Sequence, residues 1–368
     1  MKMIHCADLH LDSKLTAHLS GDKRKERQAE LLESFRRMVH FGAEHQVEAI
    51  LIAGDLFDTN LVSETAMHTV RRIITDNPEI TFYYLKGNHD NLGIFHESDV
   101  IPDNLKLFKD RWTYYGIPFS GGQVIIAGAE LHEENKDILF EELYLHPDSV
   151  NIVMLHGQES EYIGQDRTIQ VPLKKLRNKN IDYLALGHIH SFKAGRLDGR
   201  GIWCYPGCLE GRGFDECGEH GFVLLDIEEE TGICEPEFIP FSSRNLYSIS
   251  VDVSGCSCTE EMGNAMDKEL LAAGHGSRHM IKVILTGRID MDTEMNLYLL
   301  KKRLENRFYY AKISNETKRK VDVSRFETDD SLKGEYIRLL SQADELPEDE
   351  KAVLIHYGLQ ILAGEEID

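Results

Sequence analysis

The chain has 368 residues, too many for a single compact core, so two domains with a smaller appendage are expected. Its 41 Lys and Arg against 63 Asp and Glu leave a formal net charge of −22. That excludes a broad basic face of the kind that grips nucleic acid by displacing counterions, so any polynucleotide must be held locally. Seven cysteines scattered from Cys6 to Cys258 fit reduced thiols rather than a disulfide framework. No apolar run reaches the roughly 18–20 residues that cross a bilayer, and the first strand leaves no room for a signal peptide, so no membrane association and a cytoplasmic location are expected.

In chain order, residues 3–7 read as a strand and 27–46 as an amphipathic helix with Leu31, Phe35, Met38 and Gly42 on one face. Residues 49–53 form the next strand. Ser63 caps a helix running to about Asp76, stopped by Asn77-Pro78, and 80–85 supply a third strand. Strands at 124–129, 151–155, 183–186, 202–205 and 222–227 follow with fewer helices between them, and Glu229-Glu230-Thr231-Gly232 reads as a turn into 233–239. An α/β half followed by a strand-rich half predicts two packed sheets with helices outside.

After Pro240 the spacing restarts: strand 247–253, helix 259–272, strand 280–285, helix 293–306 and strand 308–313, a small α+β module. Beyond Asn315 the chain is charged and helical in character. The organisation expected is a domain over 1–240, a second over 241–315 and a helical C-terminal extension over 316–368, too short for its own core and suited to docking on a partner.

Five short blocks punctuate this pattern: Asp8-Leu9-His10, Gly54-Asp55-Leu56-Phe57-Asp58, Gly87-Asn88-His89-Asp90, His156-Gly157 and Gly187-His188-Ile189-His190. Four of them directly follow apolar, β-branched or aromatic runs, so their side chains fall where strands end and loops begin, the edge at which open α/β sheets keep their sites. Imidazole together with carboxylate or amide oxygen suits a divalent ion of intermediate hardness. Asp8 and His10, two apart, would both point toward one site from an extended strand end, and His188 and His190 repeat the spacing. Asp55 has two oxygens and can bridge ions about 3.5–4 Å apart, while Asn88 adds a neutral amide oxygen and His156 an imidazole.

With these blocks and Tyr205-Pro206-Gly207 beyond the paired histidines, the sequence resembles the calcineurin-like metallophosphoesterases, and within them the SbcD-like DNA repair nucleases. The resemblance is close over about residues 1–240 and looser beyond. It implies a four-layer αββα sandwich with a small α+β capping domain and a helical C-terminal extension. It also implies two divalent ions, manganese first with iron or zinc compatible. Asp8, His10, Asp55 and His190 would hold one, and Asp55, Asn88, His156 and His188 the other. Thr59-Asn60 and Asp90 stand where protein phosphatases of the superfamily carry Arg-Gly and Glu. Asp58 stands where archaeal and eukaryotic nuclease relatives carry His, which leaves His89 as the principal proton donor to the departing 3′ oxygen.

Asp90 is either the group that orients His89 and raises its pKa or a carboxylate capping its own loop. Arg212, in Gly211-Arg212-Gly213-Phe214, is either a contact to a substrate phosphate or part of a surface turn, and Tyr205 is grouped with it as a candidate substrate contact. Lys23-Arg24-Lys25, the cluster Lys174, Lys175, Arg177 and Lys179, and in the small module Lys301-Lys302-Arg303 and Lys318-Arg319-Lys320 are either contacts to a DNA backbone or solvated charged faces. The resemblance further implies an SbcC-like coiled-coil ATPase partner met by the C-terminal extension, and a homodimer formed near the first helices by Met67, Val70 and Ile74.

Three functions compete: a metal-dependent DNA exonuclease or endonuclease, a small-molecule phosphodiesterase or nucleotidase, and a non-catalytic scaffold regulating its ATPase. The complete ligand set argues against the last.

Overall fold

The structure is a computed structural model. It describes all residues except 16–18, 59–61, 91–100, 121, 161–169, 229–230, 291–292, 321–328, 344 and 364–368, so the expectations for Thr59, Asn60, Glu229 and Glu230 lie outside the described residues. The chain divides into two compact units, Met1–Asn245 and Leu246–Asp368.

The first unit begins with β1 (Lys2–Cys6), α1 (Gly21–Glu44), β2 (Ala49–Ala53), α2 (Glu64–Thr75), β3 (Thr81–Leu85) and β4 (Leu105–Leu107). It continues with β5 (Thr113–Phe119), β6 (Gly122–Gly128), α3 (Lys136–Glu142), β7 (Val150–His156), β8 (Gln158–Glu159), β9 (Gln170–Val171) and α4 (Leu173–Leu176). It closes with β10 (Tyr183–Gly187), β11 (Lys193–Arg196), β12 (Ile202–Tyr205), β13 (Gly221–Ile227) and β14 (Cys234–Pro240).

Among the described residues twelve of these strands build two six-stranded sheets, ordered β14-β13-β1-β2-β3-β4 and β11-β12-β10-β7-β6-β5, while β8 and β9 pair with each other. The period of two along each central strand explains the layers. Met3, Ala49, Leu51, Ala53, Tyr83 and Leu85 of the first sheet meet Ile126, Ile152, Met154, Tyr183 and Ala185 of the second in one buried core. The intervening Ile4, Cys6, Ile50, Ile52, Phe82 and Tyr84 turn outward onto Leu31, Phe35 and Met38 of α1 and Val70 and Ile74 of α2. On the far side, Val153, Leu155, Leu184 and Leu186 pack on Leu139 and Phe140 of α3 and Leu173 and Leu176 of α4. The result is the expected αββα sandwich.

Two local expectations need correction. Helix α1 starts at Gly21 rather than residue 27, because its first turns carry exposed charge and show no apolar stripe. Met67, Val70 and Ile74 are 5%, 0% and 0% exposed within the helix-side core, so they cannot form a dimer interface.

The second unit contains β15 (Leu246–Asp252), α5 (Thr259–Ala273), β16 (Met280–Thr286), β17 (Arg288–Asp290), α6 (Leu297–Glu305), β18 (Tyr310–Asn315), β19 (Lys318–Lys320), α7 (Leu332–Ser341) and α8 (Glu348–Ala363). Its sheet β15-β16-β18 is parallel and shares a core with Met262, Met266 and Leu270 of α5 and Leu300 and Leu304 of α6. Helix α6 begins four residues later than expected because the Asn296 side chain accepts from Leu299 N at 3.1 Å and caps it there. Lys301 and Lys302 pair with Glu305, and Arg303 with Asp267 and Glu260, so this basic run is already engaged. Arg319 Nη1 donates to Asp290 O and Thr293 O, each at 3.1 Å. No described helix is long and apolar enough to cross a membrane.

One buried ionic cluster ties α1 to the segment between β12 and β13. Arg27, 1% exposed, donates to Glu30 at 2.5 Å, to Glu210 at 3.2 Å and to Gly211 O at 2.9 Å. Glu210 also accepts from Ser34 Oγ and Ser243 N at 2.5 Å each. Removing one partner from such a cluster leaves an uncompensated buried charge. Glu210→Ala should therefore cost about 3–5 kcal/mol in urea denaturation, and Glu210→Gln, which keeps acceptor capacity, less.

Candidate metal centre

The five ligand blocks sit at the C-terminal ends of β1, β2 and β3 in one sheet and β7 and β10 in the other. Hydrogen bonds within each sheet, and a backbone donor that crosses the sandwich, His188 N, lock these ends together. Asp8 N donates to Gly54 O at 3.0 Å, His10 N to Asp55 O at 3.0 Å and Gly157 N to Gly187 O at 3.1 Å, while His188 N reaches both Asp8 oxygens at 3.0 and 2.9 Å.

The expected extended geometry is not what makes Asp8 and His10 converge. Asp8, His10, Asp55 and His188 have φ of 52°, 44°, 50° and 110°, the left-handed side that non-glycine residues rarely adopt. Each of these loops turns sharply as it leaves its strand, and the surrounding hydrogen bonds hold the turn. At Gly54, φ +93°, a Cβ would collide with the His156 ring, so close packing as well as conformation demands glycine.

The ligand atoms converge in two overlapping groups, Asp8-His10-His190 and Asp8-Asp55-His156, with the atoms in each group within 4.8 Å of one another. His10 Nε2 lies 3.2 Å from His190 Nε2, and His156 Nε2 lies 2.9 Å from Asn88 Oδ1 and 3.4 Å from Asp55 Oδ2. Asp55 Oδ2 is also 4.0 Å from His10 Nε2, so this carboxylate stands between the two groups. The His188 ring is 5.6 Å from that of His156, centroid to centroid. Asp8, His10, Asp55 and His156 are buried.

Three second atoms of the histidine rings explain how the first are aimed. His156 Nδ1 is 2.9 Å from Ala53 O, which only accepts, so that nitrogen carries the proton. His190 Nδ1 is 2.6 Å from Glu216 Oε1, and His10 Nδ1 is 3.0 Å from Asp58 Oδ1. Each ring is thereby held with Nε2 facing inward, the arrangement that second-sphere carboxylates and carbonyls impose on metal-binding histidines.

The electrostatics favour a cation at this point. Burial alone would lower His156, yet Asp55 and Asp8 outweigh it and push it up to about 9. Burial would raise Asp55, but His156 and His10 hold its carboxyl below the usual carboxylate range. Two Nε2 atoms at 3.2 Å, each in a ring whose Nδ1 faces a carboxylate, also cannot satisfy one another unless positive charge lies between them. The donor set therefore fits divalent ions of intermediate hardness.

Three proposed site residues take different places. Asp90, 4% exposed, accepts from Leu56 N at 3.1 Å, Phe57 N at 2.9 Å and Gly87 N at 3.1 Å. It clamps the Asp55 loop to the Asn88 loop, and the carboxylate facing His89 is instead Asp58, whose Oδ1 lies 4.0 Å from His89 Nδ1. Burial and then the neighbouring Asp55 push Asp90 up to about 6 against those three amides. Tyr205 is fully buried, donating to Gly157 O at 2.8 Å and accepting from Glu159 N at 2.9 Å, so it is a core hydroxyl out of reach of substrate.

Arg212 donates to Asp58 Oδ1 and to Glu216 Oε1, both at 2.9 Å, and is occupied as a bridge behind the ligands rather than as a phosphate contact. Burial opposes the ionised form of both acids, but His10, Ser13 and Arg212 hold Asp58 down to about 2, and His190 and Arg212 hold Glu216 below its ordinary value. The Lys174–Lys179 run precedes β10, at the end of that strand opposite its ligands. There Arg177 Nε donates to Leu197 O at 3.0 Å and Lys179 Nζ to Glu141 O and Leu143 O at 3.4 Å.

His89 lies at the exposed mouth, its backbone N–H donating to Asp55 Oδ1 at 2.8 Å and its ring edge-on to His10 at 5.3 Å. Glu216 was missed in the sequence. It lies 26 residues beyond His190 in a loop rich in acids and glycines, and only the reciprocal need of His190 Nδ1 for an acceptor pointed to it.

Residues 1–192 match the family described as calcineurin-like phosphoesterase. Among curated proteins, the chain is 28% identical over 245 residues to the uncharacterized metallophosphoesterase YhaO of Bacillus subtilis, covering 62% of this chain and 57% of that one. The chain thus spans little more than half the length of this relative. Among solved structures it is similar to TT1561 of Thermus thermophilus, at 15% identity and TM-score 0.42 over 64% of this chain and 98% of that one. It is also similar to a dimetal phosphatase from Danio rerio, at 14% identity and TM-score 0.39 over 61% and 92%.

A ligand must be neutral at the nitrogen it offers, and His156 without metal is protonated below about pH 9. Loading the metal-free protein with Mn at pH 7 should therefore release about one proton from His156, read as a buffer-dependent heat in calorimetry. That release should fall by about one proton in His156→Ala, leaving the smaller share from His190, which Glu216 and Asp8 also push up, and the His156 share should shrink as the pH is raised through 9.

Proposed function

Because this chain belongs to the calcineurin-like phosphoesterase family, we propose that it is a two-metal phosphodiesterase acting on DNA, a nuclease subunit that works with an SbcC-like coiled-coil ATPase. The convergence of Asp8, His10, Asp55, His156 and His190 at the strand ends is the observation that carries the hydrolytic reading. Asp8, His10, Asp55 and His190 would hold one ion and Asp55, Asn88, His156 and His188 the other. Manganese is the first candidate, and iron and zinc suit the same donors. Bound there, the pair supplies Lewis-acid charge to the phosphoryl oxygens and lowers the pKa of water.

The protein's own groups do the rest. Ala53 O, Glu216 and Asp58 hold three imidazoles in the orientation that binds, and Arg212 fixes the two acids relative to each other. Asp90 keeps the Asp55 and Asn88 loops in register. His89, half-exposed with Asp58 4.0 Å from its Nδ1, would give a proton to the departing oxygen.

Three features support a polymer over a small substrate: the SbcD-like sequence of the ligand blocks, the polar C-terminal extension and a separate compact unit after residue 245. Exposed Leu339, Val353 and Ile361 on α7 and α8 support a helical partner at the C-terminal end. The net charge of −22 favours the second reading, a small-molecule phosphodiesterase or nucleotidase.

The Mn-loaded protein should cleave labelled DNA as well as a simple phosphodiester. Cleavage of the simple ester alone would establish the second reading. His89→Ala should keep both metals by elemental analysis and lose roughly 10²- to 10⁴-fold in kcat. Loss of metal in that variant would make His89 a ligand instead.

A further inference from the structure

Phe192 lies two residues beyond the ligand His190, at most about 7 Å along the chain. It immediately precedes β11, the outer strand of the second sheet, while Phe238 lies on β14, the outer strand of the first. Their rings meet at 4.8 Å between centroids and a tilt of 32°.

The strand registers place this pair at the metal-bearing end of the sandwich. Lys193 pairs with Tyr205 at the C-terminal end of β12, and Phe238 pairs with Val223, which in turn pairs with His5 near the end of β1. Phe192 is 42% exposed. Among the described residues of this unit, the other large exposed hydrophobics are Ile101, Tyr114, Ile138, Tyr144 and Ile233; only Ile101 shares a connection with a ligand block, 13 residues beyond Asn88, and none is as near a ligand in the chain as Phe192.

The backbone beneath the ring is fixed. Cys208 N donates to His190 O at 3.1 Å, and Gly207, φ +78°, packs so closely that a Cβ would come within 3.0 Å of Phe192 N. Phe192 is thus an aromatic ring backed by Phe238, partly open to solvent and pre-positioned beside a metal ligand. The nearby cations are committed elsewhere: Lys193 pairs with the buried Glu159, and Arg212 with Asp58 and Glu216. In a chain of net charge −22, a local grip on a nucleotide at this edge falls to the aromatic face.

We propose that Phe192, supported by Phe238, is the stacking platform for the nucleobase beside the scissile phosphodiester, and so determines preference for nucleotide substrates. The proposal rests on the nucleic-acid reading above. Stacking on an aromatic face tolerates any base, so the platform selects for the presence of a base rather than its identity.

The test uses the full chain loaded with Mn, one labelled oligonucleotide, the same oligonucleotide with an abasic residue stepped through the positions flanking the cut, and a simple alkyl phosphodiester. Phe192→Ala should raise KM for the intact strand by roughly 5- to 150-fold with kcat little changed, and this gain should be insensitive to salt. At one flanking position the abasic strand should show no further loss in Phe192→Ala. Phe192→Trp should restore KM, Phe192→Leu should not, and both should hydrolyse the alkyl ester at the wild-type rate, which reports an intact fold.

Equal losses on intact and abasic strands, or no loss on either, would overturn the platform while leaving DNA cleavage standing. Failure of the wild type to cut DNA while it cuts the alkyl ester would instead remove the nucleic-acid reading, and the platform with it.

Discussion

Everything at the candidate centre depends on one electrostatic constraint: buried carboxylates and inward-facing imidazole nitrogens are packed closer together than they could stand without positive charge among them. Asp8, Asp55, His10, His156 and His190 share this space. The sandwich imposes the crowding, because parallel strands in both sheets deliver their loops to a common end, where His188 N on the Asp8 carboxylate and His156 Nδ1 on Ala53 O tie one sheet's loops to the other's. Without metal a proton on His156 stands in for the missing charge. The fold thus creates an unfavourable charge arrangement that a divalent cation relieves.

The second constraint is orientation. An imidazole can rotate and exchange tautomers, and a ligand pointing the wrong way is no ligand. Here Asp58, Arg212 and Glu216 form a continuous bracket behind His10 and His190, with Arg212 joining the two acids and Ser13 donating to Asp58 at 2.7 Å. Because the bracket is charged and largely buried, removing any one member leaves the others unpaired, so its parts act as a unit. Asp90 performs the same office for the backbone, holding two ligand loops with one carboxylate.

The strands and their ligand blocks were legible in the sequence because a strand buried on both faces reads as an unbroken apolar run, and a polar block at its end is conspicuous. The run Ala49–Ala53 was bounded to the residue, and the blocks at Asp8, Asp55 and His188 each begin within two residues of a strand's last position. What was hidden was whatever depends on contacts between distant segments. Glu216 and Arg212 look like ordinary loop charges until His190 and Asp58 are seen beside them. Tyr205 carries a hydroxyl that sequence alone cannot distinguish from a substrate contact, and it proves to satisfy a carbonyl and an amide in the core. The left-handed turns at Asp8, His10, Asp55 and His188 were equally invisible, because Asp and His give no warning of positive φ as glycine does.

The place of β1 has a consequence for how the protein is made. β1 lies inside its sheet, between β2 and the antiparallel β13, which ends at Ile227 more than 200 residues later. Until that late strand emerges from the ribosome, β1 has an open edge, and the inner-face residues Val223 and Leu225 that complete the central core are missing. A nascent chain carrying all five ligand blocks is therefore still an incomplete sandwich, exposed to mispairing and in need of protection. The ligand blocks by themselves thus do not complete the sandwich whose strand ends bring them together.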